Sequence, residues 1–220
     1  MRQPKTVIAL LAALAAGFLL QHIAPDRLVA MVMLWPVGRF DVLAGDGVAS
    51  VGFMPWQLVT YSFLHADLGH LLVNALGVWT FGATLEEAWG RKRLLTFWFL
   101  CVIGAGLTQL AMAAAGLFGD GAVATIGASG GVYGLLIAFA MLYPNREMML
   151  LIPPIPMKAR TLAIIFGVVA LLFGVSSSGG IAHFAHLGGM PTGFLVLQYW
   201  RGRPPFGPRR PKKPNLRSVN

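Results

Sequence analysis

The sequence predicts an all-α polytopic membrane protein, a bundle of six transmembrane helices with a short central fourth helix. Of its 220 residues, 56% are hydrophobic and only 11% are charged, whereas soluble domains average about 25% charged residues. The mean hydropathy is +0.69. Apolar runs also recur along the whole chain, and a run of about 20 such residues is enough to cross a bilayer.

The predicted membrane spans are roughly 6–24, 61–84, 93–115, 129–143, 159–175 and 182–200. The first resembles a signal peptide, because Arg2 and Lys5 precede an apolar core. We expect it to be retained because further spans follow. The apolar segment 149–157 contains three prolines and is expected to lie at the membrane interface rather than across the bilayer.

The distribution of Lys and Arg predicts the orientation. The N-terminus, the segments 85–93 and 144–160 and the last twenty residues hold 15 of these cations, and the loop 25–60 holds 2. The positive-inside rule therefore places both termini in the cytoplasm and the loop 25–60 outside. We expect a multi-pass protein of the cell membrane, plasma or inner.

Two regions are predicted, a membrane domain over residues 1–200 and a tail over 201–220. The tail interleaves seven Lys and Arg with five prolines, which predicts a disordered cytoplasmic segment. Because the net charge of +9 is concentrated there, we expect contact with anionic lipid rather than with nucleic acid.

The few polar side chains inside the predicted spans are expected to converge on the outer leaflet, because spans two, four and six all enter from outside. Span four has 15 residues and rises only about 22 Å, against a hydrocarbon core of ~30 Å. This predicts a water-filled recess with Ser129 at its floor. His70 is expected about 13 Å along span two. The polar residues concerned are His65, His70, Asn74, Ser129, Tyr133, His183 and His186.

A serine and a histidine are predicted to meet between spans four and six. A serine hydroxyl becomes a useful nucleophile only when a base takes its proton, and His186 is the candidate base for Ser129. The only acidic residue after Ser129 is Glu147, at the inner boundary, so a dyad is predicted rather than a triad. Glycines on both helices are expected to allow the close approach that this hydrogen bond needs: Gly130, Gly131 and Gly134 on one, Gly189 and Gly193 on the other. Gly127, four residues before Gly131, is expected to be a further supporting glycine.

Three neighbouring residues have two interpretations each. Tyr133, one turn after Ser129, either stacks on the imidazole and orients it or is an ordinary core aromatic. His70 and Asn74 share a helix face at spacing i, i+4. They either donate hydrogen bonds to an oxyanion together with the Ser129 backbone N–H, or tie span two to its neighbours.

Three sequence segments together resemble the rhomboid family of intramembrane serine proteases. They are HADLGHLLVNALG in span two, GASG with Tyr133 four residues after its serine, and AHLGG continuing to Gly193. The resemblance runs from about Trp56 to Trp200. It implies Ser129 as nucleophile, His186 as general base, and His70 and Asn74 in the oxyanion hole.

The resemblance extends to two structural positions. Glu86, followed by Gly90 just past span two, is similar to the family's helix-end motif, and we expect Glu86 to have a structural role. In the outward loop the family often has Trp-Arg, whereas here Trp56 is followed by Gln57.

The function implied is endopeptidase cleavage of transmembrane segments near the extracytoplasmic interface, through an acyl-enzyme. The expected partners are single-pass or polytopic membrane protein substrates and the lipid bilayer. No cofactor, metal or nucleic acid is expected. The alternative is a rhomboid-like protein that binds membrane clients without cleaving them. A metal enzyme using His65, His70, His183 and His186 is disfavoured because the sequence contains no HExxH.

Overall fold

The computed structural model describes residues 3–45, 47–117, 123–149, 154–176 and 181–206, and most of them are helical. Six helical stretches overlap the six predicted segments. In chain order the helices are α1 (Lys5–Ile23), α2 (Asp26–Val32), α3 (Gln57–Thr60), α4 (Leu68–Gly77), α5 (Ala83–Trp89), α6 (Arg91–Ala114), α7 (Ser129–Leu142), α8 (Ala159–Ser176) and α9 (Ile181–Trp200).

Three helical stretches are long and apolar enough, by length and composition, to cross a membrane. They are Lys5–Ile23, Leu68–Trp89 and Arg91–Ala114. Ser129–Leu142 and Ala159–Gly174 are shorter apolar helices. The chain is therefore a mostly helical membrane protein.

The second of these stretches begins later than the sequence predicts. Residues Tyr61–Phe63 form a 3₁₀ turn, and α4 starts only at Leu68, where the side chain of Asp67 accepts a hydrogen bond from the His70 N–H. An aspartate at this position satisfies an N–H that has no partner within the helix. The predicted start at residue 61 is thus wrong, and His70 lies in the first turn of α4 rather than deep along it.

A π-helical segment, Val78–Gly82, joins α4 to α5 without a break. The helix ends at Gly90, which has φ 76° and separates α5 from α6. A glycine adopts this left-handed conformation without the steric penalty of a side chain. At Gly90 the chain therefore changes direction between the end of α5 and the start of α6.

Helix α7 lies at the centre of the bundle. It packs against α6, α8, α9 and the π segment. Its 14 residues rise only about 21 Å. Most α7 residues are buried, and they belong to one apolar core that includes Leu135, Phe139, Trp98 and Val78.

Two short antiparallel hairpins show that the expectation of an all-helical chain was incomplete. Strands β1 (Phe40–Ala44) and β2 (Gly47–Val51) pair within the loop 25–60. Strands β3 (Glu147–Met149) and β4 (Pro156–Lys158) pair between α7 and α8. The interfacial position predicted for the segment 149–157 stays a prediction, and residues 150–153 of that segment lie outside the described ones.

Helix α1 is fastened to the bundle near both ends. Close to its start, the Glu86 carboxylate accepts hydrogen bonds from the N–H groups of Thr6 and Val7, each at 2.9 Å. A carboxylate at a helix N-terminus also interacts favourably with the helix dipole. In its second half, Gly17 lies so close to Phe63 that a methyl group there would meet the Phe63 side chain and backbone.

Candidate functional site

Ser129 is the first residue of α7, so its backbone N–H is one of the four that an α-helix leaves without an internal partner. The residue two positions earlier, Gly127, has φ 121° and donates its N–H to the Tyr61 carbonyl at 2.9 Å. This left-handed conformation turns the chain sharply into the helix. The Ser129 side chain is thereby set at the helix end with the free N–H groups and their partial positive charge.

The segment before Ser129 is also held by the loop 25–60. The Leu34 N–H donates to the Thr125 carbonyl at 3.1 Å, and the Thr125 N–H donates to the Leu34 carbonyl at 2.8 Å. Leu34 is buried, and Ala124 packs on the small apolar cluster around Trp35. The loop 25–60 therefore fixes the position of the chain segment that precedes Ser129.

Helices α7 and α9 meet backbone to backbone through glycines. A methyl group on Gly189 would overlap the carbonyl of Gly130, and one on Gly193 would lie 3.1 Å from the Gly134 carbonyl oxygen. A methyl group on Gly130 would stand 3.6 Å from the carbonyl oxygen of Ala185. The residues next to Ser129 and His186 are therefore in close contact.

Gly131 does not belong to this contact. A methyl group on Gly131 would meet the indole of Trp98 on α6 at 2.7 Å. The prediction that it faces α9 is wrong because successive residues on a helix are rotated by about 100°, which turns Gly131 away from the Gly130 face. Because Gly131 has no side chain, the indole of Trp98 packs directly against the α7 backbone at this position.

The ring of Tyr133 is stacked on the imidazole of His186. The ring centroids are 4.6 Å apart and the planes differ by 7°. A stacked contact of this kind restricts rotation of the imidazole. Of the two interpretations given above for Tyr133, this geometry corresponds to the stacking one.

His70 points into the corner formed by Gly127 and Ser129. A methyl group on Gly127 would lie 2.9 Å from His70 Nε2 and 3.9 Å from Ser129 Oγ. The other ring nitrogen, Nδ1, accepts a hydrogen bond from the Ala66 N–H at 3.4 Å. Because a neutral imidazole has one donor and one acceptor nitrogen, the proton of neutral His70 is on Nε2 and faces the same space as the serine hydroxyl.

Asn74 is buried, and its Nδ2 donates to the His70 carbonyl one turn earlier at 3.0 Å. One amide hydrogen is therefore engaged within α4. The second hydrogen of Nδ2 is still able to serve another acceptor, so both interpretations of this residue remain predictions.

The ring of His65 lies beside the ring of His70, and the backbone of His65 is hydrogen-bonded to the side chain of Gln21 on α1. The buried ring of His65 lies edge-on to the ring of His70, with centroids 5.0 Å apart. Burial, together with the neighbouring imidazole of His70, lowers the pKa of His65 to about 4, so His65 is neutral at neutral pH. Gln21 cannot be predicted as a site residue from the sequence, since a lone glutamine in an apolar run gives no pattern from which to infer a partner.

Gln57 stands where the family resemblance leads us to expect arginine, and it holds the loop 25–60 together. Its Oε1 accepts from the N–H groups of Trp35 and Met54, each at 3.2 Å. Its Nε2 donates to the carbonyls of Met31 at 3.2 Å and Gly52 at 3.1 Å. A buried neutral amide with all four hydrogen bonds made needs no counter-ion, so the change of residue type does not leave the loop unanchored.

The fold and this site define a class: a mostly helical membrane protein in which the starts of α4 and α7 bring a serine and a histidine together beside α9. The chain belongs to the rhomboid family. The family model described as the rhomboid domain matches residues 52–202, so α1 and both strands of the first hairpin precede the matched residues.

Curated relatives agree with this membership. RHOMBOID-like protein 1 of Arabidopsis thaliana is 30% identical over 159 residues, covering 69% of this chain and 36% of that protein. Rhomboid protease GluP of Bacillus subtilis is 32% identical over 144 residues, covering 64% of this chain and 25% of that protein. Rhomboid protein 1, mitochondrial, of Saccharomyces cerevisiae is 28% identical over 147 residues, covering 65% of this chain and 41% of that protein. The chain thus spans well under half the length of these relatives.

Proposed function

We propose that this protein is an intramembrane serine endopeptidase that cleaves transmembrane segments of single-pass or polytopic membrane proteins near the extracytoplasmic interface. The observation that carries the proposal is the shared corner beside Gly127, where His70 Nε2 and Ser129 Oγ face the same space. Family membership and a relative named as a protease support it.

In the proposed reaction, Ser129 Oγ attacks the scissile carbonyl carbon while His186 takes the hydroxyl proton. The carbonyl oxygen becomes an oxyanion, which is stabilised by the Ser129 N–H and the Nε2–H of His70, with Asn74 as a further donor. His186 then gives the proton to the leaving amine, and an acyl-enzyme remains. Water, deprotonated by His186, attacks that ester and releases Ser129.

The supporting residues have separate parts in this proposal. Tyr133 keeps the His186 ring in one orientation through the stacked contact. Gly130, Gly189 and Gly193 let α7 and α9 approach closely enough for the dyad, and Gly127 makes room for His70. Water reaches the serine through a recess on the outer side.

The proposed topology has six spans, formed by α1, the α4–α5 stretch, α6, α7, α8 and α9. Both termini lie in the cytoplasm, as the positive-inside rule predicts, and the membrane is the plasma or inner membrane. Residues 1–200 form the membrane domain, and 201–220 form a basic, proline-rich cytoplasmic tail.

The proposal is tested by labelling the purified full chain with a serine-reactive fluorophosphonate and by cleavage of a reporter transmembrane substrate. We expect labelling and cleavage in the wild type and in Ser50→Ala, which alters an exposed hairpin serine. Both signals should be lost in Ser129→Ala and should fall by about 10³-fold or more in His186→Ala, because the nucleophile loses its base. Cleavage that persists in Ser129→Ala would remove the assignment. A folded wild type that binds the reporter without cleaving it would favour the non-catalytic alternative.

A further inference from the structure

The side-chain amide of Gln21 connects α1 to His70, the residue proposed above as a hydrogen-bond donor to the oxyanion. The Nε2 of Gln21 donates to the His65 carbonyl at 2.6 Å, and the Gln21 Oε1 accepts from the His65 N–H at 2.9 Å. Both backbone groups of His65 are therefore bound by one side chain, 44 residues earlier in the sequence. Gln21 lies outside the residues that match the rhomboid model.

The second step of the connection runs through a single peptide group. The carbonyl of His65 and the N–H of Ala66 belong to the same planar unit, and in a trans peptide they point in opposite directions. Fixing the direction of the carbonyl therefore fixes the direction of the N–H. That N–H is the one that donates to His70 Nδ1 at 3.4 Å.

The third step is the choice of tautomer at His70. While Ala66 donates to Nδ1, the proton of the neutral ring must be on Nε2. Nε2 is the nitrogen beside Gly127 and Ser129. With the opposite tautomer, an acceptor lone pair would face the position of the oxyanion and repel it.

From this chain of contacts we infer that Gln21 is a positioning residue, which acts through the His65–Ala66 peptide to hold His70 with its Nε2–H directed at the reacting carbonyl. The inference rests on the proposed function for its catalytic consequence, but the tautomer it assigns to His70 exists whether or not the protein is a protease. It gives α1 a direct part in the site. Serial hydrogen bonds of this kind polarise one another, which strengthens the effect of the distant amide.

The variant that tests the inference is Gln21→Met, which keeps the length of the side chain and removes both hydrogen bonds. Glu86→Gln is the matched control, since it weakens the attachment of α1 at the other end without touching His65. Active sites are counted with the fluorophosphonate, so that kcat is expressed per labelled serine. We expect kcat to fall about 5- to 30-fold in Gln21→Met, equivalent to one or two hydrogen bonds. KM should stay within about twofold, and kcat of Glu86→Gln should be that of the wild type.

A second measurement does not depend on activity. In ¹⁵N-histidine-labelled protein in detergent micelles, with the His70 signals assigned by their loss in His70→Gln, the wild type should show the Nε2–H tautomer. Gln21→Met should show a mixture with the Nδ1–H form. An unchanged tautomer or an unchanged kcat in Gln21→Met would overturn the inference, as would an equal loss of kcat in Glu86→Gln. If the wild type shows no Ser129-dependent cleavage, the proposed function fails, and the tautomer measurement alone then decides whether Gln21 controls His70.

Discussion

At the scale of single residues, the two imidazoles of the candidate site are positioned by aromatic ring contacts. Tyr133 lies flat on His186, and His65 stands edge-on to His70. Such aromatic contacts are worth about 0.5–1.5 kcal/mol beyond the burial of area. Both contacts restrict an imidazole ring, and the proposed reaction requires the nitrogen atoms of both rings to keep a defined direction.

The first prediction concerns the stacked ring. Tyr133→Phe preserves the flat contact with His186 and should keep kcat close to that of the wild type. Tyr133→Ala removes the contact, and kcat per labelled serine should fall about 2- to 10-fold. Tyr143→Ala is the control, because Tyr143 packs on Phe139 near the other end of α7 and should change thermal stability without changing kcat. Equal kcat values for Tyr133→Phe and Tyr133→Ala would show that the ring has no orienting part.

Site residues that belong to a local sequence pattern can be predicted from the sequence, whereas residues whose partners lie far away in the sequence cannot. The sequence predicts Ser129, Tyr133 and His186 as site residues because a hydroxyl, an aromatic ring and an imidazole stand among glycines at helical spacing. Gln21 gave no such signal, because its partner is the backbone of His65 and any residue type there presents the same N–H and carbonyl. Its contribution follows only from the three-dimensional contact.

At the scale of elements, the closest helix contact is the one between α7 and α9. Glycine weakens a helix by roughly 0.5–1 kcal/mol relative to alanine, so its repeated use on both helices must be offset by what their approach allows. At Gly189 no side chain fits, since even a methyl group would overlap the Gly130 carbonyl. The contact therefore fixes the separation of the helices that carry Ser129 and His186.

The second prediction tests this separation. Gly189→Ala should lower the stability of the purified protein by about 1–3 kcal/mol, because an overpacked contact forces backbone shifts, and should reduce kcat as His186 is displaced. Gly167→Ala is the matched control: a methyl group there would lie 3.4 Å from the flexible Met190 side chain. It should leave stability unchanged or raise it. Thermal unfolding in detergent, followed by kcat per labelled serine, measures both effects. Equal stability of the two variants would contradict the glycine contact.

Hydropathy predicted five of the six long helices to within about two residues at each end, because a long apolar run has few alternatives to a helix. It failed at the start of α4. The residues TYSF before Leu64 do not interrupt the apolar run strongly enough to predict a break in the helix. In the structure, however, Asp67 caps the start of α4, and Tyr61–Phe63 form a separate 3₁₀ turn. The hairpin β1–β2 was missed because its side chains do not alternate cleanly between polar and apolar.

At the scale of the whole molecule, apolar side chains remain exposed around the bundle. Ile23 on α1 is 79% exposed, Val73 on α4 is 71% exposed and Ile164 on α8 is 64% exposed. Large apolar side chains exposed on several faces are unfavourable in water, and they are satisfied by lipid tails in a membrane. Because α1 contributes both to this surface and to the core, through Val7 and Leu14, we propose that it is a retained part of the folded protein.

The third prediction tests whether α1 is integral to the fold. The Glu86 carboxylate accepts two N–H groups at the start of α1, one on each oxygen. Glu86→Gln replaces one acceptor oxygen by an N–H₂ group that faces another donor, and it removes the favourable interaction with the helix dipole. We expect a loss of about 1–3 kcal/mol and a lower midpoint of thermal unfolding in detergent.

Glu87→Gln provides the matched control, since Glu87 is the exposed neighbour on the same helix and should leave the midpoint unchanged. The same comparison in a chain that begins after Ile23 supplies the decisive contrast. Without α1 the Glu86 carboxylate has no N–H groups to bind, so Glu86→Gln should no longer lower stability. A loss of stability that persists in the shortened chain would mean that Glu86 acts on another part of the bundle and does not attach α1.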